Sequence, residues 1–245
     1  MIGEALATLE PPDLVRDRAF AHVREAIITG RIAPGARLIE RELCEALGIS
    51  RPSVREVIRR LEAERLVAVE PRRGPVVVRL TAEEAAQIYE IRGLIESLLY
   101  RRFAERASER DMAALERLLA RLKRAAGAGA HAEIVALTRE LNAHLVAVAD
   151  HAVAGDLLAQ LDARISWLRM QAMAVPGRLR ESLAEMDTVM KLVRERDGDG
   201  AAARIARSVA NARDAALTQI AGGSPSDAVV PKARAAVSSK SRKRA

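Results

Sequence analysis

Three arginines recur at four-residue steps in one stretch of the chain, at Arg51, Arg55 and Arg59, with Ser53 beside them. Side chains four residues apart lie on one face of an α-helix, so these guanidinium groups would share that face. Guanidinium groups bind phosphate oxygens and pair with guanine edges in the major groove of DNA. An ordinary amphipathic helix with a solvated basic face has the same pattern, and the arginines alone do not separate the two interpretations.

The residues around these arginines predict the elements that would position them. Residues 40–47 predict a short helix, and Gly48 and Ser50 belong to a turn that follows it. Glycine adopts the positive φ that ends a helix, and serine caps the start of the next one. Four apolar residues at helical spacing then predict a second helix: Val54, Val57, Ile58 and Leu61. The stretch therefore predicts a helix-turn-helix whose second helix has an arginine-rich face.

A predicted β-hairpin follows the second helix. Residues 66–69 and 76–78 are rich in apolar and β-branched side chains, which favours two short strands. The connection between them contains Arg73 and Gly74 beside prolines, which mark the tip of the hairpin. An arginine at such a tip can follow phosphates or enter the minor groove, where the potential is negative. A helix-turn-helix with a basic hairpin predicts a winged-helix DNA-binding domain.

The composition agrees with a two-domain protein built mainly from helices. The chain has 245 residues, of which 49% are hydrophobic, 30% charged and 2% aromatic, and its formal net charge is +7. A positive charge suits a polyanionic partner, but part of it lies near the end of the chain, so the total is weak support. Cys44 is the sole cysteine, which excludes an intrachain disulfide and leaves a small buried thiol or a redox sensor. Charges interrupt every long apolar stretch and no signal peptide is visible, so we expect a soluble, cytoplasmic protein without a membrane segment.

The order and spacing of these motifs resemble the DNA-binding domain of the GntR family of bacterial transcription regulators. The matching segments are residues 30–38, 40–43, 48–51, 54–56, 61–67 and 72–74. The resemblance implies that residues 13–80 form the DNA-binding domain, with contacts to DNA from Arg37, Ser50, Arg51, Ser53, Arg55, Arg73 and Gly74. The arginine spacing adds Arg59 to this set. Arg37 would instead serve equally well in a structural ion pair, and Arg65 replaces a glycine that is common in the family.

The rest of the chain predicts an all-helical domain over residues 81–221. Thr81, followed three residues later by Glu84, predicts a capping box at the start of its first helix. The apolar stripe predicted for that helix is Ile88, Ile91, Ile95 and Leu98. Five further helices are predicted between breaks that contain Gly or Pro, at residues 109–125, 132–149, 154–174, 179–196 and 201–220. We expect Trp167 to pack in the core or in a dimer interface, and residues 222–245 to form a disordered basic tail.

The first helix of this domain also resembles that of a subfamily. Residues 89–92 read Tyr-Glu-Ile-Arg and are followed by Glu96, which is similar to the start of the ligand-binding domain in FadR-type GntR regulators. The resemblance implies a helical domain that binds an effector. A small organic acid is one candidate, and Arg92 would either pair with its carboxylate or form an internal ion pair with Glu96.

Many members of that subfamily bind a metal through a carboxylate and a histidine one helical turn apart, together with two later histidines. Glu140 and His144 have the first spacing, which would place both at an effector pocket. Met186 and Ser208 stand where the later histidines are expected. Two protein ligands are too few for a stable transition-metal site, so we expect no tightly bound metal and no other cofactor. His144 would otherwise be an interior histidine.

Together these features predict a ligand-responsive regulator that binds a duplex DNA operator as a homodimer. An effector that prefers one of two arrangements would shift operator occupancy, with repression the commoner outcome in the family. An architectural DNA-binding protein without an effector is the alternative. An enzyme is not expected, because the chain has no phosphate-binding loop, no nucleophile with a paired base and no complete metal site. The residues do not identify the operator, the effector or the target genes.

Overall fold

The computed structural model describes residues 12–222, which are mainly helical. Its helices are α1 (Pro12–Ile28), α2 (Glu40–Leu47), α3 (Arg51–Ala63), α4 (Ala82–Arg106), α5 (Glu109–Gly127), α6 (His131–Ala149), α7 (Ala152–Met173), α8 (Arg178–Arg194) and α9 (Gly198–Gly222). Its strands are β1 (Val67–Glu70) and β2 (Gly74–Val77). The predicted fold class, a winged helix-turn-helix followed by a helical bundle, is confirmed. The predicted basic tail lies outside the described residues, apart from Gly222 at the end of α9.

The N-terminal region packs α1, α2 and α3 against the hairpin. The stripe predicted for α3 is buried, and it contacts Val23 and Ile27 of α1 and Leu66 beside the hairpin. Strands β1 and β2 are antiparallel, with Val67 opposite Val77. Before α2, the backbone of Arg37 forms a single antiparallel bridge to Val76 of β2. This packing fixes α3 and the hairpin relative to each other.

The turns of this region follow the predicted chemistry. Gly48 has a φ of +66° and ends α2, and the Oγ of Ser50 accepts the N–H of Ser53 at 3.4 Å to cap α3. At the other end of α3, Arg65 also has a positive φ, of +57°. The N–H groups of Arg65 and Leu66 donate to carbonyls in the last turn of α3, which is the arrangement of a Schellman motif. Glycine suits that conformation better than arginine does, because it has no Cβ.

Helices α4 to α9 form a bundle in which α4 runs along α9. Its centre is apolar and includes Phe103, Leu115, Leu145, Val193 and Ile205. The capping box predicted at Thr81 and Glu84 is present, and all five later helices begin and end within three residues of their predicted bounds. Within residues 12–222, no helix combines the length and apolarity needed to cross a lipid bilayer.

The stripe predicted for α4 is wrong in part. Ile88 is buried, but Ile91 and Leu98 are exposed, and the neighbouring Leu94 is the most exposed of the three at 66%. The helix packs through other residues, including Leu99 and Phe103. Since α4 is apolar on more than one side, helical spacing alone did not show which side faces the bundle.

The predicted break at residues 197–200 is also shorter than expected, because α9 begins at Gly198. The carboxylate of Asp197 accepts the N–H of Gly200 at 2.8 Å. This bond satisfies one of the amides that have no partner in the first turn of a helix. Gly198 and Gly200 predict a break, but with the cap at Asp197 both glycines belong to the first turn of α9.

The two regions meet where α1 and its following turn contact α6 and α7. Arg139 of α6 forms an ion pair of 2.8 Å with Glu25 of α1. Gly30 has a φ of +72°, and a Cβ at this position would lie 2.1 Å from the ring of Trp167. The ring of Trp167 therefore packs against Gly30 in space that the Cβ of any other residue would fill. Trp167 thus lies at the junction between the two regions.

Candidate nucleic-acid interface and effector cavity

The exposed face of α3 carries the three arginines predicted to bind DNA. Arg51 is exposed in the first turn. The Nε of Arg55 donates to Glu40 of α2 at 3.0 Å, yet its side chain stays 61% exposed. Arg59 is 77% exposed and lies 3.8 Å from Glu56. Exposed ion pairs of this kind contribute little stability, so these guanidinium groups exchange partners at small cost.

Two serines lie at the start of the same helix. Ser50 is exposed and Ser53 half-buried, and their Oγ atoms are 3.0 Å apart. A helix N-terminus has unpaired amides and a positive dipole end, which favour an anion such as phosphate. The serines and Arg51 are thus positioned beside one another in the first turn of α3.

The hairpin tip brings Arg37, Arg73 and Gly74 together. Arg73 donates to Glu70 at 3.1 Å and to the carbonyl of Gly35 at 3.2 Å. Gly74 has a φ of +81°, and a Cβ there would lie 4.0 Å from the Nε of Arg37. Arg37 pairs with β2 through its backbone, and its side chain is exposed. A basic edge therefore runs from the residue before α2 to the hairpin tip.

The helical bundle contains a cavity of about 530 Å³ that opens between α6, α7 and α1. Most of its wall is apolar, with Ile28, Val135, Val146 and Met170 among the side chains. Its polar wall residues include Arg24, Thr138, Arg139, Asn142, Asp156, Asp162, Ser166 and Arg169. An apolar cavity with a few polar groups is the usual form of a small-molecule site in a protein.

A buried ionic network lies behind the cavity and centres on Arg92. The guanidinium of Arg92 is 2.5 Å from Glu96 and 3.0 Å from Asp162. Asp162 also accepts from Asn142 at 2.9 Å and pairs with Arg169 at 3.2 Å. Burial opposes the charge on Arg92, but Glu96 and Asp162 outweigh it and raise the pKa of Arg92. The network fixes Asp162, and through it Asn142, on the cavity wall, and Arg92 is the buried counter-ion of Asp162.

Two protein-family models match the chain in the same order as these two regions. Residues 15–77 match the family described as bacterial regulatory proteins, gntR family, and residues 87–211 match the FCD domain. The chain belongs to the GntR family and carries an FCD domain. The predicted family is confirmed, and its members are DNA-binding transcription regulators and not enzymes.

Individual relatives agree with this assignment. The chain is 26% identical over 183 residues to the HTH-type transcriptional regulator YdhC of Bacillus subtilis, which covers 74% of this chain and 82% of that protein. It is 31% identical over 106 residues to the gluconate operon transcriptional repressor of Bacillus subtilis, covering 43% of each. The solved structure of Escherichia coli McbR/YncC has a TM-score of 0.72 at 24% identity, covering 84% of this chain and 97% of that one. The last comparison supports the fold.

The effector residues predicted in the FCD domain do not meet at one site. Glu140 pairs with Arg121 of α5 at 2.9 Å, and both side chains are about half exposed. The Nε2 of His144 lies 2.9 Å from the carbonyl oxygen of Asp111, and its ring packs edge-on against Phe103. Neither residue lines the cavity, nor does Arg92, which contacts its wall from behind.

These residues do not fit the metal site of the subfamily. Glu140 pairs with Arg121, whereas His144 bonds to the carbonyl of Asp111. The hydroxyl of Tyr100 donates to the sulfur of Met186 at 3.4 Å, and Ser208 donates to Glu185 at 2.6 Å. In the described part of the chain, no three acidic, histidine or cysteine side chains are grouped closely enough to hold a metal ion.

A second polar cluster joins α8 to α9 of the FCD domain. Glu185 accepts from Ser208 at 2.6 Å and Asn211 at 2.7 Å, and the guanidinium of Arg178 lies 3.5 Å away. Burial alone would raise the pKa of Glu185, but these donors lower it below its usual value. Local sequence patterns gave no sign of this cluster, because its members come from different helices.

Proposed function

We propose that this GntR-family regulator binds a near-palindromic operator as a homodimer and acts as a repressor in the bacterial cytoplasm. The first turn of α3 enters the major groove, where Ser50, Arg51, Ser53 and Arg55 contact bases and phosphates. Arg59 contacts the phosphate backbone further along the helix. The hairpin tip, with Arg37, Arg73 and Gly74, lies over the adjacent backbone or minor groove. The exposure of the whole basic set on α3 and the hairpin is the observation that supports this proposal.

An exposed apolar face supports the homodimer. Ile91, Leu94 and Leu98 of α4 are exposed, as are Val153 and Leu157 of α7. The two helices pack together through Leu99 and Leu158, the chain neighbours of the exposed Leu98 and Leu157. A second copy that covers this side of α4 and α7 would remove these apolar side chains from water. A Leu94→Asp variant is expected to sediment as a monomer, while Leu14→Asp, an equally apolar exposed site on α1, is expected to sediment as wild type.

We further propose that a small organic acid binds the cavity between α6 and α7. Apolar walls suit its hydrocarbon part, and the cavity arginines suit its carboxylate. Arg92 holds Asp162 and, through it, Asn142 in place from behind the wall. Glu140 and His144 do not contact the acid, because Glu140 pairs with Arg121 and the ring of His144 bonds to the carbonyl of Asp111.

The experiment that tests the proposal selects duplexes bound by the purified full-length protein from a random pool and then footprints the enriched sequence. A protected near-palindrome is expected. Arg51→Ala should weaken its binding by roughly tenfold or more and leave folding intact, because it removes a groove contact worth about 1–3 kcal/mol. Arg121→Ala, which removes an exposed arginine of the FCD domain, is the matched control and should bind as wild type. A footprint that is insensitive to sequence would favour the architectural alternative.

A further inference from the structure

The cavity belongs to the DNA-binding region as well as to the FCD domain. Arg24 and Ile28, which line it on one side, come from α1, whereas Arg139 and Asn142 come from α6. A molecule bound there would contact α1, and α1 in turn packs against α3. The site for an effector and the junction between the two regions are therefore the same place.

Two adjacent residues of α1 connect the FCD domain to the recognition helix. Glu25 pairs with Arg139 of α6 at 2.8 Å. Its neighbour Arg24 pairs with Glu64 at 2.6 Å, and Glu64 caps the C-terminal end of α3. In each pair the arginine lines the cavity and the glutamate does not. The chain of contacts therefore runs from α6 through α1 to α3.

We infer that an organic anion with an apolar body, bound in this cavity, changes the position of α3 by competing for Arg24 and Arg139. The inference rests on the proposed function, since it names how its effector would act. A carboxylate offers a guanidinium the same bidentate partner that Glu25 and Glu64 offer now. The four side chains keep some exposure, so the existing pairs are not held by a large desolvation penalty.

The direction of the effect follows from linkage. If the anion takes the arginines from Glu25 and Glu64, it binds best when the DNA-binding region is released from its present position. An operator that selects the present position then weakens binding of the anion, and the anion weakens binding of the operator by the same factor. Couplings of this kind change affinity by roughly five- to 150-fold.

Octanoate is the probe for this inference, with octanol as its uncharged counterpart. Operator affinity of the full-length protein is measured with each compound, and octanoate affinity is measured by calorimetry without DNA. Octanoate is expected to bind and to weaken operator binding at least fivefold, and octanol to leave it unchanged. Ala159→Phe, which adds bulk to the cavity wall, should abolish octanoate binding.

Two variants test the contact chain without altering the cavity wall. Glu25→Gln and Glu64→Gln each remove one carboxylate that competes with the anion for its arginine, so each should bind octanoate at least as tightly as wild type. In both variants, octanoate should change operator affinity much less than it does in wild type, so that the ratio of affinities without and with octanoate approaches one. Glu140→Gln, which breaks an exposed ion pair on α6 away from the junction, is the matched control and should respond as wild type.

Three results would overturn the inference. Octanoate without measurable affinity would reject the class of ligand, and unchanged octanoate binding by Ala159→Phe would reject the cavity as its site. A full response in both Glu25→Gln and Glu64→Gln would reject the contact chain. Each of these is distinct from failure of the proposed function, which is shown by a footprint without sequence preference.

Discussion

The recognition helix and the interior of the FCD domain both depend on arginine, but they hold it in opposite ways. Arg55 is 61% exposed and has one carboxylate partner, Glu40. Arg92 is 7% exposed and lies between two carboxylates, Glu96 and Asp162. In water an ion pair contributes little, whereas a buried charge that loses its partner is costly. Arginines of the first kind are therefore available to DNA, whereas those of the second kind maintain the fold.

The largest effect is expected at Arg92. Arg92→Ala would leave Glu96 buried without its counter-ion and Asp162 with Arg169 alone, at a cost of roughly 3–5 kcal/mol in the free energy of unfolding. Urea denaturation near neutral pH measures this value. Arg121→Ala, which breaks an exposed pair, is the control and should cost less than about 1 kcal/mol. Equal losses in the two variants would remove the distinction between buried and exposed arginines.

The sequence predicted the elements of the DNA-binding region well because their signals are local. Gly48, Ser50 and the stripe of α3 lie within one short stretch, and each determines the backbone conformation of its own neighbours. The family motif implies a DNA contact from Arg37 without saying where the residue lies, and its bridge to β2 places it beside the hairpin.

The FCD site was harder to predict because its contacts join residues distant in sequence. Nothing local connects Arg92 to Asp162, and their pairing depends on how α4 packs against α7. The spacing of Glu140 and His144 showed only that both lie near one face of α6. The two side chains leave the helix at slightly different angles, so Glu140 reaches Arg121 of α5 and His144 reaches the carbonyl of Asp111 in the same helix. The cavity itself needs α1, which the sequence assigned to the other domain.

A second test of buried charge uses the acid stability of the Glu185 cluster. The pKa of Glu185 is lowered in the folded protein, so its contribution is complete above its usual value of 4.5 and is lost as pH falls through the lower, folded value. Glu185→Gln should therefore be less stable at neutral pH, by about 1–3 kcal/mol. Its stability should also decline less steeply than that of wild type below pH 4.5. Thermal unfolding at a series of pH values checks both points, and parallel curves would refute the assignment.

A smaller effect, of opposite sign, is expected at Arg65. Its φ of +57° strains an arginine, whereas glycine adopts that conformation freely. Arg65→Gly should raise the free energy of unfolding by roughly 0.5 kcal/mol, since the relief of strain exceeds the added entropy of the unfolded chain. Arg65→Ala keeps the strain and shortens the side chain, so it separates the backbone effect from loss of the guanidinium. A gain in the alanine variant as large as that in the glycine variant would assign the effect to the side chain.

The smallest change in stability is expected at Arg55, where stability and DNA binding should respond differently to one substitution. Arg55→Ala should alter the free energy of unfolding by about 0.5 kcal/mol or less, because its pair with Glu40 is exposed. Operator affinity should nevertheless fall by roughly tenfold, since the proposed complex places the guanidinium in the groove. Glu40→Gln breaks the same pair but keeps the guanidinium, and it should therefore retain operator binding. If both variants lose affinity equally, the pair itself positions α3, and Arg55 belongs with the arginines that maintain the fold.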